Sequence, residues 1–326
     1  MAQIIVTTTT EEEGEQSTRF QTYVNYLTAI DNYLTSQYPE PRNLIEVIAE
    51  SPSFQKIQGG RCSDQQGVQR LLRNAWFTEI QMHISALHQE LVPYSNHWIP
   101  VQLYYGVYLA VRAYFSCTGQ QVGEHHATTL RRVSNDIANR PALFPYPWKV
   151  LCTGDQYGTG ANYLNLPPST QIGQVSSLTS GKRVSFWDSY VMLLRTTRMR
   201  QVERAVDEWK KKEGRKRITR PNRETVVSRI PPTSMFDALY RLRIRSNYAD
   251  ADSFLLSLDD VGKAMEFNQS IRSICWWTML LLETLSARYI GKGKFNNIVA
   301  GFLKHDIGNQ SEQLVQRRWT AISSVL

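Results

Sequence analysis

Between Arg195 and Arg229 the chain carries 13 Lys or Arg and only 5 Asp or Glu. The excess of 8 equals the net charge of all 326 residues, so the sequence outside this segment is close to neutral. The densest part is WKKKEGRKRITRPNR, Trp209 to Arg223. Cations at such density repel one another unless something negative lies near. A phosphate backbone suits them, because every neutralised phosphate releases counterions. Lys210, Lys211, Lys212, Arg215, Lys216, Arg217, Arg220 and Arg223 are therefore the residues expected to bind RNA or DNA. Trp209 could add stacking on a base, although its helical spacing favours a core position. Gly214 and Pro221 make the stretch a loop or a frayed helix end. The competing reading is a solvated face or a disordered loop. An acidic protein partner or an anionic membrane surface would satisfy the same charge.

Other chemistry finds less support. His125-His126, close to Arg131-Arg132, is the only histidine pair. Without a carboxylate at ligand spacing it is a weak metal signal, and solvated loop histidines are the plainer reading. His83 and His88 flank Leu87 and read as partly buried helical side chains. Cys62, Cys117, Cys152 and Cys275 lie far apart with no CxxC pair. They suggest neither a disulfide framework nor a thiolate zinc site, but free buried thiols in a reducing, cytoplasmic setting. Signatures of the GxGxxG, GxxxxGK[ST], HExxH and GxSxG types are missing. Gly154 to Gly160 is glycine-rich but lacks a following Lys-Ser/Thr, which makes it a loop. No cofactor or metal is expected.

The elements that would position these groups are mostly helices. Phe20, Tyr23, Val24, Leu27, Ile30 and Leu34 follow helical spacing. The first 18 residues, with the acid run Glu11–Glu13, read as a flexible acidic tail, and they lack the basic and apolar regions of a secretory signal. A short helix fits Arg42 to Glu50. A long one is predicted from Asp64, its N-cap, through Leu87 to Leu91, where Pro93 stops it. Pro100 opens a helix to Cys117, and another spans Glu124 to Asn139. Residues 141–183, rich in Pro and Gly, are irregular, with a small hairpin allowed around Ser180-Gly181. Helicity resumes near Trp187, with Val191, Leu194, Val202, Ala205, Val206 and Trp209 as its stripe. Thr233 or Ser234 opens a further helix, with Asp237 completing a capping box. The window ICWWTMLLL, Ile274 to Leu282, lies in a helix from about Asp259 to Ile290. It is too short to span a bilayer, and Trp276 and Trp277 are expected in the main core. Helices over Phe295–His305 and Ser311–Val325 follow.

Two stretches resemble the HEPN superfamily, the helical nucleotide-binding and ribonuclease domains of prokaryotic toxin and defence systems. Tyr104 to Gly119, YYGVYLAVRAYFSCTG, is similar to that family's YY-containing second helix, followed by the histidine-bearing loop Gly123-Glu124-His125-His126. Leu239 to Asp252, LYRLRIRSNYADAD, resembles its Arg-x-x-Ala-Asp-Tyr pattern, with Arg243, Ser246, Asn247 and Tyr248 in the matching places. The helix after it sits where that fold puts its last helix. Catalytic members carry Arg, then four to six residues, then His. A group titrating near neutrality takes the 2′-hydroxyl proton of RNA, and a cation stabilises the phosphate charge. Here Tyr248 stands where the histidine would be, and a free phenol titrates near 10.

The expectation is an all-α protein: a HEPN-like bundle of residues 19–140 and 231–326, with 141–230 as an irregular, basic insertion. The function expected is non-enzymatic RNA or DNA binding within a prokaryotic defence or toxin–antitoxin assembly, with a protein partner and no membrane. The resemblance implies a homodimer across the motif face. The alternatives are a metal-independent ribonuclease using Arg243 and Tyr248, and a structural subunit that docks on an acidic protein.

Overall fold

Apolar periodicity and end signals place the helices. The computed structural model describes residues 2–60, 62, 64–120, 123, 125–155, 160–172, 185–249, 253–254, 260–305 and 312–326. In chain order the helices are α1 (Ala2–Gln37), α2 (Pro41–Ala49), α3 (Pro52–Gln55), α4 (Gln65–Ile84), α5 (Val92–Ser95), α6 (Ile99–Cys117) and α7 (His126–Asn139). A two-stranded antiparallel hairpin follows, β1 (Leu151–Asp155) paired with β2 (Gly160–Leu164). Then come α8 (Phe186–Lys212), α9 (Arg220–Ser228), α10 (Met235–Ile244), α11 (Val261–Ile290), α12 (Lys292–His305) and α13 (Arg317–Val325). The fold is all-α, with this hairpin as the strand structure among the described residues. None of the described helices is long and apolar enough to cross a membrane.

End chemistry fixes several boundaries. The Asp64 carboxylate accepts from Gly67 N at 2.8 Å and caps α4. At the start of α10 the Asp237 carboxylate accepts from the Ser234 N–H and hydroxyl, at 2.8 and 2.7 Å, the Asp237 half of the capping box that the spacing predicts. Asp260 caps α11 by accepting from Lys263 N at 3.0 Å. Gly291, at φ 93°, ends it.

Several expectations need correction. The helix from Asp64 stops at Ile84 rather than Leu91, where the Ser85 hydroxyl bonds back to the Met82 carbonyl at 2.9 Å. Leu87 and Leu91, counted on its apolar face, are 61% and 51% exposed. Strands appear at Leu151–Asp155 and Gly160–Leu164, within the 141–183 stretch expected to be irregular and at both ends of the glycine-rich run Gly154 to Gly160; residues 156–159 and the predicted 180–181 hairpin lie outside the described residues. The backbone of the segment assigned to a tail is helical from Ala2. Trp277 is buried, but Trp276 is only half-buried, with the guanidinium carbons of Arg317 and Arg318 5.7 and 5.9 Å from its ring centre.

The chain divides into two compact units, residues 1–124 with 242–326, and residues 125–241. In the first, α11 is the axis, contacting α1, α4 and α6, while α13 lies on α2. Its centre holds a fully buried ion cluster. Arg318 of α13 meets Glu79 of α4 through two bonds of 2.7 Å. It also meets Glu283 of α11 at 2.8 and 3.0 Å, and Trp76 Nε1 donates to Glu283 at 2.7 Å. Burial pushes the Glu283 pKa up, Arg318 opposes that, and the Glu79 charge adds to it. The carboxylates hold Arg318 firmly protonated.

His83, one turn along α4 from Glu79, has its Nε2 buried with no hydrogen-bond partner among the described residues. Burial, helped by the positive charges of Arg272 and Arg318, lowers its pKa from 6.5 to about 4. Below pH 6.5 the unfolded chain takes up a proton that the folded chain refuses. Stability should therefore fall as pH drops from about 6.5 towards 4, by up to about 3 kcal/mol at the low end. His83→Gln should show a smaller loss of melting temperature between about pH 7 and about pH 5 than the wild type. Equal losses would mean that His83 is not the linked group.

Candidate nucleic-acid interface

The second unit, residues 125–241, carries the basic segment. Ser185 caps α8 by accepting from Asp188 N at 3.2 Å. Val202 and Val206 of α8 and Val226 of α9 form a small core, against which Trp209, Ile218, Val227 and Ile230 pack. Trp209 is thus partly buried against the core of the unit. α8 ends in a Schellman turn: Gly214, at φ 63°, donates to Lys211 O, and Arg215 N donates to Lys210 O at 3.0 Å. Lys210, Lys211 and Lys212 occupy the last turn, where the helix dipole favours cations. Arg215, Lys216 and Arg217 follow in the connection to α9.

Two groups stand out among the cations of the segment, with Arg200 paired to Glu203 and the exposed Arg229, at the end of α9, outside both. One is paired locally: Arg204 with Glu208 at 2.8 Å, Lys210 with Asp207 at 3.3 Å, and Arg220 with Glu224 at 2.9 Å. Arg223 forms a two-pronged ion pair with Asp155 of β1, whose side chain is 8% exposed. The other group is Lys211, Lys212, Arg215, Lys216 and Arg217. All five are exposed, and none has a carboxylate partner among the described residues.

Arg198 anchors the base of this arrangement. It is 4% exposed and donates to four backbone carbonyls: Gly154 at 3.1 Å, Pro231 at 2.6 Å, Val227 at 3.3 Å and Ile230 at 3.4 Å. Burial lowers its pKa, against the pull of nearby negative groups. One guanidinium thereby ties β1, the end of α9 and the stretch leading to α10. Gly154 sits at φ 81°, and a Cβ there would fall 2.4 Å from the Gly160 carbonyl, so the hairpin requires glycine. Cys152 and Thr233 exchange backbone bonds of 2.9 and 2.8 Å, closing the far side.

Between these elements lies a cavity of about 730 Å³. Its polar wall includes Asp155, Arg198, Arg220 and Arg223, and its apolar wall Ile218, Val227 and Ile230. Ile218, Arg220 and Arg223 belong to the dense basic stretch itself. Sequence reasoning singled out neither Asp155 nor Arg198. Arg198 had a readable signal, since it falls at helical spacing within the apolar stripe of Val191, Leu194 and Val202. Asp155 sits in a glycine-rich run with no such pattern.

In the first unit, the stretches compared with the HEPN pattern meet. Arg243 Nη2 donates to the Tyr105 hydroxyl at 3.0 Å, and its guanidinium carbon lies 5.6 and 5.0 Å from the ring centres of Tyr104 and Tyr105. Residues Arg245–Ala249 form a π turn, a form frequent at functional positions. Within it Ser246 is buried and bonds the Arg243 carbonyl at 3.2 Å, while Tyr248 is 69% exposed. His125 flanks the start of α7, and the His126 ring lies 5.8 Å from that of Tyr240, both in the second unit. Among the described residues no three His, Cys, Asp or Glu side chains cluster as a metal site would require.

Arg223→Ala should strand Asp155 as a buried charge and cost about 2–4 kcal/mol in urea denaturation. Lys216→Ala, on the exposed turn, should cost under about 0.5 kcal/mol. Adding Asp155→Asn to Arg223→Ala should recover part of the loss; a loss no greater than that of Lys216→Ala would show the pair to be energetically idle.

No protein-family model, no curated protein and no solved structure matches this chain.

Proposed function

We propose that this protein binds RNA or DNA through the exposed basic turn between α8 and α9, and that it does so without catalysing a reaction. The observation that supports this reading is the division among the cations. Arg204, Lys210 and Arg220 have carboxylates one turn away, and Arg223 has Asp155 of β1. Lys211, Lys212, Arg215, Lys216 and Arg217 are exposed on one short stretch without them. Neutral-sum pairing is normal for a solvated helix face. An excess concentrated on one turn fits a polyanion, and the regular phosphate spacing of a nucleic acid meets it best. Following the resemblance of Tyr104–Gly119 and Leu239–Asp252, we further propose that the first unit is a HEPN-like bundle and that the protein works in the cytoplasm, in a prokaryotic defence or toxin–antitoxin assembly. A homodimer and a protein partner belong to that same reading.

Replacing Lys211, Lys212, Arg215, Lys216 and Arg217 with Gln should weaken binding to generic RNA and DNA. Each lost phosphate contact should take about 0.7 from the slope of log affinity against log salt on single strands. Unchanged affinity and slope would refute the assignment of this turn.

Catalysis is tested separately. Arg243 is engaged with Tyr105 and stacked near Tyr104, a positioning arrangement, and Tyr248 replaces the histidine of the resemblance. The wild type should leave single-stranded RNA intact in a nuclease assay. Cleavage abolished by both Arg243→Ala and Tyr248→Phe would establish the ribonuclease alternative instead.

A further inference from the structure

The cavity beside the basic turn has a composition that the turn alone does not require. A purely electrostatic contact with phosphates needs only exposed cations. Here a hollow of about 730 Å³ is lined by Arg198, Arg220 and Arg223, by the carboxylates of Asp155 and Glu224, and by the apolar Ile218, Val227 and Ile230. This volume lies within the range of about 300–1,000 Å³ typical of small-ligand sites. Its make-up is that of a site for an amphipathic, anionic, flat molecule. The aliphatic side chains offer faces for a planar ring. The Arg220 guanidinium, bonded to Glu224 through Nε, has further N–H donors, because a guanidinium carries five. The exposed Glu224 carboxylate, bonded to Arg220 through one oxygen, supplies an acceptor for the edge of such a ring.

We infer that this cavity receives one unstacked nucleotide of a single strand whose neighbouring phosphates lie on the basic turn. The inference rests on the nucleic-acid reading above and deepens it, because it names the form of the substrate. A base within a duplex is stacked and paired and cannot enter a hollow without being extruded, at a cost in unstacking energy. A single strand can splay one base into the cavity while its backbone follows Lys211 to Arg217. Continuity supports this occupant. Ile218, Arg220 and Arg223 belong both to the cavity lining and to the basic stretch, so a strand bound at Arg217 lies one residue along the chain from that lining. The carbonyl bonds of Arg198 to Gly154, Val227 and Pro231 hold the two walls at fixed separation, which gives the cavity a preformed shape.

The test compares the affinities of the full chain for short oligo(U) and oligo(dT), for a duplex of matched length, and for uridine 5′-monophosphate as competitor. Fluorescence anisotropy serves as the readout. Single strands should bind about tenfold more tightly than the duplex, and the mononucleotide should reduce that advantage. Two variants narrow the cavity from α9. Ser228→Trp changes an exposed residue of its lining, and Val227→Phe fills its apolar wall. Both should lose the single-strand advantage while keeping the duplex affinity of the wild type, which also serves as a control for folding. Equal affinity for single strand and duplex in the wild type would overturn the inference. So would variants that keep the full single-strand advantage. In either case persistent duplex binding would leave the basic-turn reading standing. Absence of binding to every nucleic acid would end both. Stronger binding of oligo(U) than of oligo(dT) would identify the ligand as RNA, and the reverse as DNA.

Discussion

Thirteen cations within Arg195 to Arg229 repel one another, and the second unit is built around containing that repulsion. Containment takes three forms. Arg198 is drawn inward and held on four backbone carbonyls, so its charge is spent on joining β1 to the end of α9. Arg223 is neutralised by the buried Asp155 carboxylate. Arg204, Lys210 and Arg220 pair with acids one turn away. Of the rest, Arg200 pairs with Glu203, Arg195 and Arg229 stand apart, and Lys211, Lys212, Arg215, Lys216 and Arg217 flank the Schellman stop at Gly214. The fold thus sorts one basic run into a scaffolding set and an outward set. The outward set carries the functional reading.

The first unit solves a different problem with the same chemistry. Glu79, Glu283 and Arg318 bring two acids and one base into a fully buried site. Such a cluster adds little net stability over a well-packed apolar core, but removing one partner is expensive. Its value is positional: Arg318, near the C-terminal end, can sit only where α4 and α11 present both carboxylates. Arg243 plays a comparable part on α10, held by the tyrosines of α6. A guanidinium kept against Tyr104 and Tyr105 is suited to fixing the π turn that follows, with Tyr248 turned to solvent.

Much of the helical order was legible in the sequence, because it rests on local causes. The spacing of Val68, Leu71, Leu72, Ala75 and Trp76, and the caps at Asp64, Ser234 and Asp260, all act within a few residues. The failures are places where distant contacts decide. Leu87 and Leu91 continue the apolar pattern of α4, yet the helix has ended and both are exposed. Trp276 and Trp277 look equivalent, but Arg317 and Arg318 cover the first and leave it half-buried. Of the site, the cations themselves were legible by counting. Which of them face solvent was not, because the Asp155 that claims Arg223 is 68 residues away in the chain. The cavity was illegible for the same reason, its walls coming from a strand and two helices.

The central claim is that the turn after α8 is where nucleic acid lies. Ultraviolet crosslinking of the intact protein to single-stranded RNA or DNA, followed by chymotryptic digestion and mass spectrometry, reads that location directly. The account predicts crosslinks concentrated on the peptides that contain Lys210 to Arg223, with weaker labelling elsewhere in residues 125–241. Crosslinks confined to residues 1–124 and 242–326, with the basic turn unlabelled, would contradict it.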